Sequence, residues 1–185
     1  MAIKTFTTGE VLTAADTNTY LTNSGLVFVK QVTVGTAVSS VEVTGAFSST
    51  YDVYKIVASG GTSSASNPSL QFQFSGISTG SYYGGFTGTK YDTNAVSGLG
   101  VNGATSWTYA GIHASGMNME FTVYSANRTT RKYCQSGFYF TPTTAIYGHF
   151  AGECTGTTAE TAFKIIPSSG TLTGGTITVY GYRLG

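Results

Sequence analysis

Residues 117–124 alternate without a break. Met117, Met119, Phe121 and Val123 are apolar, while Asn118, Glu120, Thr122 and Tyr124 between them are polar or amphipathic. A period of two places the two sets on opposite faces of an extended strand and does not fit a helix. Leu70, Phe72 and Phe74 alternate with Gln71 and Gln73 in the same way. Further strand-like runs are Leu26–Val34, Tyr51–Ala58, Trp107–His113, Lys132–Phe140, Ile146–Glu153, Ala162–Ile166 and Thr176–Arg183, separated by Gly, Ser, Asn and Thr clusters that read as turns. No run beyond residue 25 has helical periodicity, and no internal repeat is present. The spacing predicts an all-β chain, an antiparallel, jelly-roll-like β-sandwich over residues 26–185. Phe28, Phe72, Phe74 and Phe121 sit on the apolar sides of their runs and are expected in its core.

Residues 1–25 read differently. Thr13 is a good N-cap with Asp16 three positions on, and Ala14, Ala15, Tyr20 and Leu21 make one short helix before Asn23-Ser24-Gly25. So short a helix is unstable alone and must dock on something, which makes this an attachment segment ahead of the sandwich.

Charge is scarce. Nine Lys or Arg face eight Asp or Glu, a net charge of +1, and charged residues are 9% of the chain. Polarity is carried by hydroxyls instead, with 32 Thr, 20 Ser and 13 Tyr beside 25 Gly. Such a chain lacks the electrostatic footprint that nucleic-acid binding needs. Its aromatic content of 14% argues against disorder. The first twenty-five residues hold no apolar signal core. The run Leu26–Val34 is broken by Lys30 and Gln31 and falls far short of the roughly 20 residues of a membrane span. Synthesis in a reducing cytoplasm is therefore expected, without membrane insertion. Cys134 and Cys154 flank a hairpin whose turn lies near residues 141–145. With an odd number of loop residues they are expected to face each other across the ladder, and with an even number to point to opposite sides of the sheet. They are expected to be free, buried thiols.

Several patterns carry a chemical look. Gly76-Ile77-Ser78-Thr79-Gly80 has nucleophile-elbow spacing, but Ser81-Tyr82-Tyr83-Gly84-Gly85 after it cannot supply the required helix, so a turn is expected. Gly98-Leu99-Gly100-Val101-Asn102-Gly103 matches a dinucleotide fingerprint without its strand and helix, and reads as a glycine-rich loop. His113 and His149 lie in strands without the neighbours a metal centre or a triad with Ser78 and Asp52 or Asp92 needs. Arg128, Arg131 and Lys132 form the one basic cluster, read as a solvated turn. No catalytic residue, metal or cofactor is expected.

Gly80 to Thr105 lacks a long apolar alternation and reads mainly as long loops, which in compact domains are often functional. Tyr82, Tyr83, Phe86, Tyr91, Trp107 and Tyr109 lie in or beside it, with Asp92 and Asn94 as hydrogen-bonding neighbours. Two readings stand: the rings stack on a surface glycan, or they fold back to plug the sandwich.

The segment Phe6-Thr7-Thr8-Gly9-Glu10-Val11-Leu12-Thr13-Ala14-Ala15-Asp16-Thr17-Asn18-Thr19-Tyr20-Leu21 resembles an N-terminal motif of bacteriophage tail-fibre and other virion structural proteins, of the form Phe-x-x-Gly-x-x-Leu-Thr-Ala-Ala-Asp-x-Asn. The closing Gly175–Tyr182 looks like the last strand of small phage β-sandwich proteins. The resemblance covers both ends and not the middle. It implies a virion component, commonly a symmetric homo-oligomer and often a trimer, in contact with other virion proteins. Phe6, Gly9, Leu12, Thr13, Asp16, Asn18, Tyr20 and Leu21 would then serve attachment. A host-attachment protein at the tail is the leading expectation, and a capsid decoration (cement) protein is the alternative. A polysaccharide-degrading enzyme would need two positioned carboxylates, which eight mostly isolated acids supply poorly.

Overall fold

The structure is a computed structural model that describes residues 7–16, 25–113, 115–140 and 146–182. It is all-β apart from one helical turn. In chain order the elements are α1 (Ala14–Asp16), β1 (Leu26–Thr33), β2 (Val41–Val43), β3 (Val53–Gly60), β4 (Thr62–Ser63), β5 (Ser69–Phe74), β6 (Tyr82–Lys90), β7 (Val96–Ala104), β8 (Trp107–His113), β9 (Met117–Tyr124), β10 (Lys132–Phe140), β11 (Ile146–Cys154), β12 (Phe163–Pro167), β13 (Leu172–Thr173) and β14 (Thr176–Tyr182).

All pairings are antiparallel, and twelve strands belong to one connected hydrogen-bonded system that folds into two layers. The larger layer runs β1-β14-β3-β9-β10-β11-β6-β7 and the smaller runs β2-β12-β5-β8. They join at β9. One edge of β9 pairs with β3 along its whole length. The other edge pairs with β8 at Met117 and Asn118, then with β10 from Phe121 to Tyr124. Beyond the pair Phe121–Ser136 the sheet therefore forks, with β9 turning toward β8 while β10 continues alongside β11. β4 and β13 form a separate small ladder.

The core between the layers is built from rings. Phe72 stacks on Phe121, Trp107 and Phe163 at centroid distances of 5.0, 5.7 and 5.0 Å. Tyr82 meets the edge of Trp107 at 5.2 Å. Met117, Met119, Phe121 and Val123 all point inward, as the alternation of β9 requires.

The structure corrects the reading of residues 80–105. They form the hairpin β6–β7, paired from Tyr82–Ala104 to Thr89–Val96, with a bulge at Asn102–Gly103 where Gly103 adopts φ +60°. The glycines that concealed these strands make room for rings. On the inner face Gly84 pairs with Gly152, Phe86 with Phe150, and Gly88 with Gly148. A methyl at Gly88 or Gly148 would meet the Phe86 ring at 2.7 or 2.8 Å, and one at Gly152 would lie 2.7 Å from the Trp107 indole nitrogen.

Phe28 is the second correction. It is 59% exposed, because β1 is an edge strand with a bulge between Phe28 and Lys30, and the ring turns outward against Tyr180. Third, Lys132 is not a solvated turn residue but is fully buried. The cysteines share one face, as an odd loop requires, but they do not face each other, since Cys134 stands opposite Gly152 and Cys154 opposite Lys132. Phe140 pairs with Ile146 across five residues, and Cys134 and Cys154 are both buried, free and diagonal to each other across the β10–β11 ladder.

Candidate functional site

The structure divides the expected ring cluster into three parts. Tyr82, Phe86 and Trp107 are core residues. The Tyr82 hydroxyl accepts the Phe74 N–H at 2.8 Å and donates to the Ile77 carbonyl at 2.9 Å, and Tyr109 packs partly buried against Phe86 and Phe150. These four are plugs of the sandwich, because their positions face inward in the ladders. Tyr91, Asp92 and Asn94 are exposed on the β6–β7 turn. Tyr83 lies at the far end of β6, on the outer face, about 26 Å away along the strand. No single loop site gathers these residues.

The chemical motifs are likewise dispersed. Ser78 is exposed in the loop between β5 and β6, near the Tyr82 end of the sheet. His149 pairs with Thr87, five strand positions from Tyr82, or about 17 Å away. His113 is buried at the opposite end of β8 from Trp107, and its Nε2 finds no hydrogen-bond partner among the described residues. Asp52 is paired with Arg128, and Gly98–Gly103 lies within β7 rather than in a loop. The arrangement brings no nucleophile, base and acid together. Among the described residues, no three His, Cys, Asp or Glu side chains cluster as metal ligands.

What the fold does assemble is the outer face of the larger layer. One cross-strand row reads Leu26, Tyr182, Val53, Tyr124, Tyr133, Glu153 and Tyr83. The next reads Phe28, Tyr180, Lys55, Thr122, Gln135, Ala151 and Gly85. Residues distant in sequence thus form a band of rings beside a lane of smaller, hydroxyl and amide side chains. Its ions are matched locally. Lys55 Nζ lies 2.5 Å from Glu120, and Arg131 lies 3.1 Å from Glu153. The hydrogen bond it donates to the Glu120 carboxylate holds the Lys55 ammonium above the ordinary lysine value. Gln135 donates to the Tyr124 hydroxyl at 2.8 Å.

At the fork this face is concave. A depression of about 390 Å³ opens between β9 and β10, lined by Glu120 and Thr122 on one side, Gln135, Ser136 and Gly137 on the next strand, and His149, Phe150 and Ala151 beyond. Ser136 is 5% exposed, and its hydroxyl has no hydrogen-bond partner among the described residues. A second depression, also about 390 Å³, lies across His149 and is bounded by Thr87, Thr89, Val96 and Tyr147. Sequence reasoning could not find this site, since only the strand register brings its parts together.

The attachment segment is described over residues 7–16. Thr13 and Asp16 close a reciprocal cap. The Asp16 N–H donates to the Thr13 hydroxyl at 3.1 Å, and that hydroxyl and the Thr13 N–H donate to the Asp16 carboxylate at 2.6 and 3.2 Å. Gly9 has φ +88° in a turn that Glu10 closes onto the Thr7 N–H at 3.1 Å. Val11 and Leu12 are 78% and 49% exposed. Phe6, Asn18, Tyr20 and Leu21 lie outside the described residues. No known protein family matches the chain, and no curated protein or solved structure matches it either.

Proposed function

We propose that this chain is a structural component of a bacteriophage particle, a tail-associated host-attachment protein. Residues 1–25 would join a β-sandwich to other virion proteins, and the sandwich would face the host. The observation that carries this reading is the state of residues 7–16. Their turn and cap are closed by local hydrogen bonds, yet Val11 and Leu12 stay in solvent. Preformed backbone with uncovered apolar side chains fits an element that is buried on assembly. The likeness of residues 6–21 to virion attachment motifs supports the same conclusion.

In this reading the protein works as a homo-oligomer, with a trimer favoured by the resemblance. Immunogold labelling of intact particles tests the proposal, with label expected at the tail. Label distributed over the capsid would make the chain a decoration protein instead. Its absence from purified particles would overturn the virion role.

A further inference from the structure

We infer that Asn102–Gly103 is a spontaneous modification site, where the asparagine amide converts to a carboxylate through a cyclic imide and puts a negative charge on the free edge of β7.

Of the asparagines in the chain, Asn102 alone precedes a glycine. Ring closure requires the nitrogen of the following residue to reach the asparagine Cγ, and glycine puts no Cβ in the way. Asn94, Asn118 and Asn127 precede Ala95, Met119 and Arg128, whose side chains crowd that approach. Asn67 precedes Pro68, whose nitrogen has no hydrogen to lose. The Asn127 amide is also held in place, donating to the Glu160 carbonyl at 2.7 Å.

The fold leaves this dipeptide open. Tyr82 pairs with Ala104 and Gly84 with Val101, so Asn102 and Gly103 together stand opposite Tyr83, and neither has a partner in the register. Both are exposed, and Gly103 takes φ +60°. Among the described residues β7 pairs only with β6, so no strand lies along its other side. A regular ladder would restrain the backbone rotation that brings the Gly103 nitrogen to Cγ. The bulge removes that restraint on one side of the strand and the free edge removes it on the other. There is room as well, since a methyl at Gly103 would come no nearer than 3.7 Å to the Tyr83 hydroxyl.

The reaction needs only water. The Gly103 nitrogen gives its proton to solvent base and bonds to Asn102 Cγ. The Cγ–Nδ2 bond breaks, and Nδ2 takes up a proton and leaves as ammonia. Water then opens the five-membered imide. Addition at Cγ breaks the new bond and yields aspartate. Addition at the main-chain carbonyl carbon breaks the original peptide bond and yields isoaspartate, with the chain running through the side chain. Either way one water is consumed and one ammonia released. The product carries a carboxylate on a strand, Val96–Ala104, that has no charged residue. Charges on an edge strand oppose pairing with another chain, so ageing supplies a guard that the sequence lacks.

The test incubates the full chain at mildly alkaline pH and maps tryptic peptide 91–128, which holds Asn94, Asn102, Asn118 and Asn127, by fragmentation mass spectrometry. Asn102 should convert at least about ten-fold faster than the other three. Isoaspartate should be among the products, read by enzymatic methylation of its carboxylate. Asn102→Gln, which would have to close a six-membered ring, should keep both its mass and the melting temperature of the parent. A parallel time course in guanidinium chloride gives the rate of the unfolded chain, and the native rate should lie within about ten-fold of it. Equal rates at all four asparagines, or aspartate as the sole product, would overturn the inference. So would a native rate below that window, since the ladder would then be locking the Gly103 nitrogen.

Discussion

Lys132 stands directly opposite Cys154 in the β10–β11 ladder, and both side chains are fully buried. The lysine is tolerated there because its ammonium donates to three carbonyls, those of Arg128, Thr130 and Gly156, at 3.1, 2.9 and 3.1 Å. It ties the β9–β10 connection to the chain leaving β11.

Replacing Lys132 with Met should therefore destabilise the fold although it adds apolar bulk. Three carbonyls would lose their donor, and about 1 kcal/mol each would sum to roughly 3 kcal/mol. Urea denaturation should show the midpoint fall without a change in slope. A variant as stable as the parent would mean that the three hydrogen bonds contribute nothing net.

Burial pushes the Cys134 thiol well above its ordinary value and raises that of Cys154. The folded state thus holds these protons after the unfolded chain releases them. Stability from this source is complete below the unfolded thiol value of about 8.5 and declines as pH rises beyond it. Burial shifts Lys132 the other way, so its contribution rises with pH below the unfolded lysine value of about 10.4. Comparing Cys134→Ala/Cys154→Ala with the parent isolates the thiols. The parent should lose more stability between pH 8 and pH 10, read from urea midpoints. Native thiols should also react slowly with a chromogenic disulfide reagent until the protein unfolds.

The rings once grouped by sequence should separate by stability. Trp107→Ala should cost about 3–5 kcal/mol through a core cavity. Tyr82→Phe should cost about 1–3 kcal/mol, because the buried Ile77 carbonyl and Phe74 N–H lose their partner. Tyr91→Ala, on the exposed turn, should stay within about 0.5 kcal/mol. Thermal melts of the three variants check the order.

Gly152→Ala should be among the most damaging small changes. The added methyl would lie 2.6 Å from the Tyr83 carbonyl oxygen and 2.7 Å from the Trp107 nitrogen, which itself donates to the Tyr83 and Glu153 carbonyls at 3.2 Å. Gly100, whose methyl would meet nothing within 4 Å, is the control and should tolerate alanine far better. Soluble yield and melting temperature of the two variants read the difference.

Deleting residues 1–24 should leave the sandwich folded, with the circular dichroism of a β protein, and abolish incorporation into particles. Normal incorporation of the shortened chain would remove the attachment role from this segment.

These outcomes bear on what the sequence disclosed. The bounds of β9 and β10 follow from alternation, because each buries one face and turns the other outward. β6 and β7 were hidden because period-two patterns are read from large side chains, and Gly84, Gly85, Gly88, Gly98 and Gly100 carry none. Rings fill the pits at two of these, Phe150 of β11 at Gly84 and Phe86 of β6 itself at Gly88. β2 is only three residues long, too short for a periodic signal. Phe28 was misplaced because an edge bulge interrupts the alternation it appeared to obey. The Thr13–Asp16 cap was legible because capping is local. The ring row and the fork were not, since Tyr182, Tyr124, Tyr133 and Tyr83 become neighbours only through register.

The sharing of β9 between both layers has a kinetic consequence. β8 and β10 occupy different stretches of the same edge of β9, and β3 occupies the other, so neither layer can detach without taking the strand that anchors its counterpart. Unfolding should accordingly be all-or-none, with no species that keeps one layer and loses the other. Assembly pays for this in time. The β3–β9 ladder begins at Val53–Tyr124, and β14 at the far end of the chain must then find β3. Closing such long segments before their contacts form places this chain among slow, high-contact-order folders.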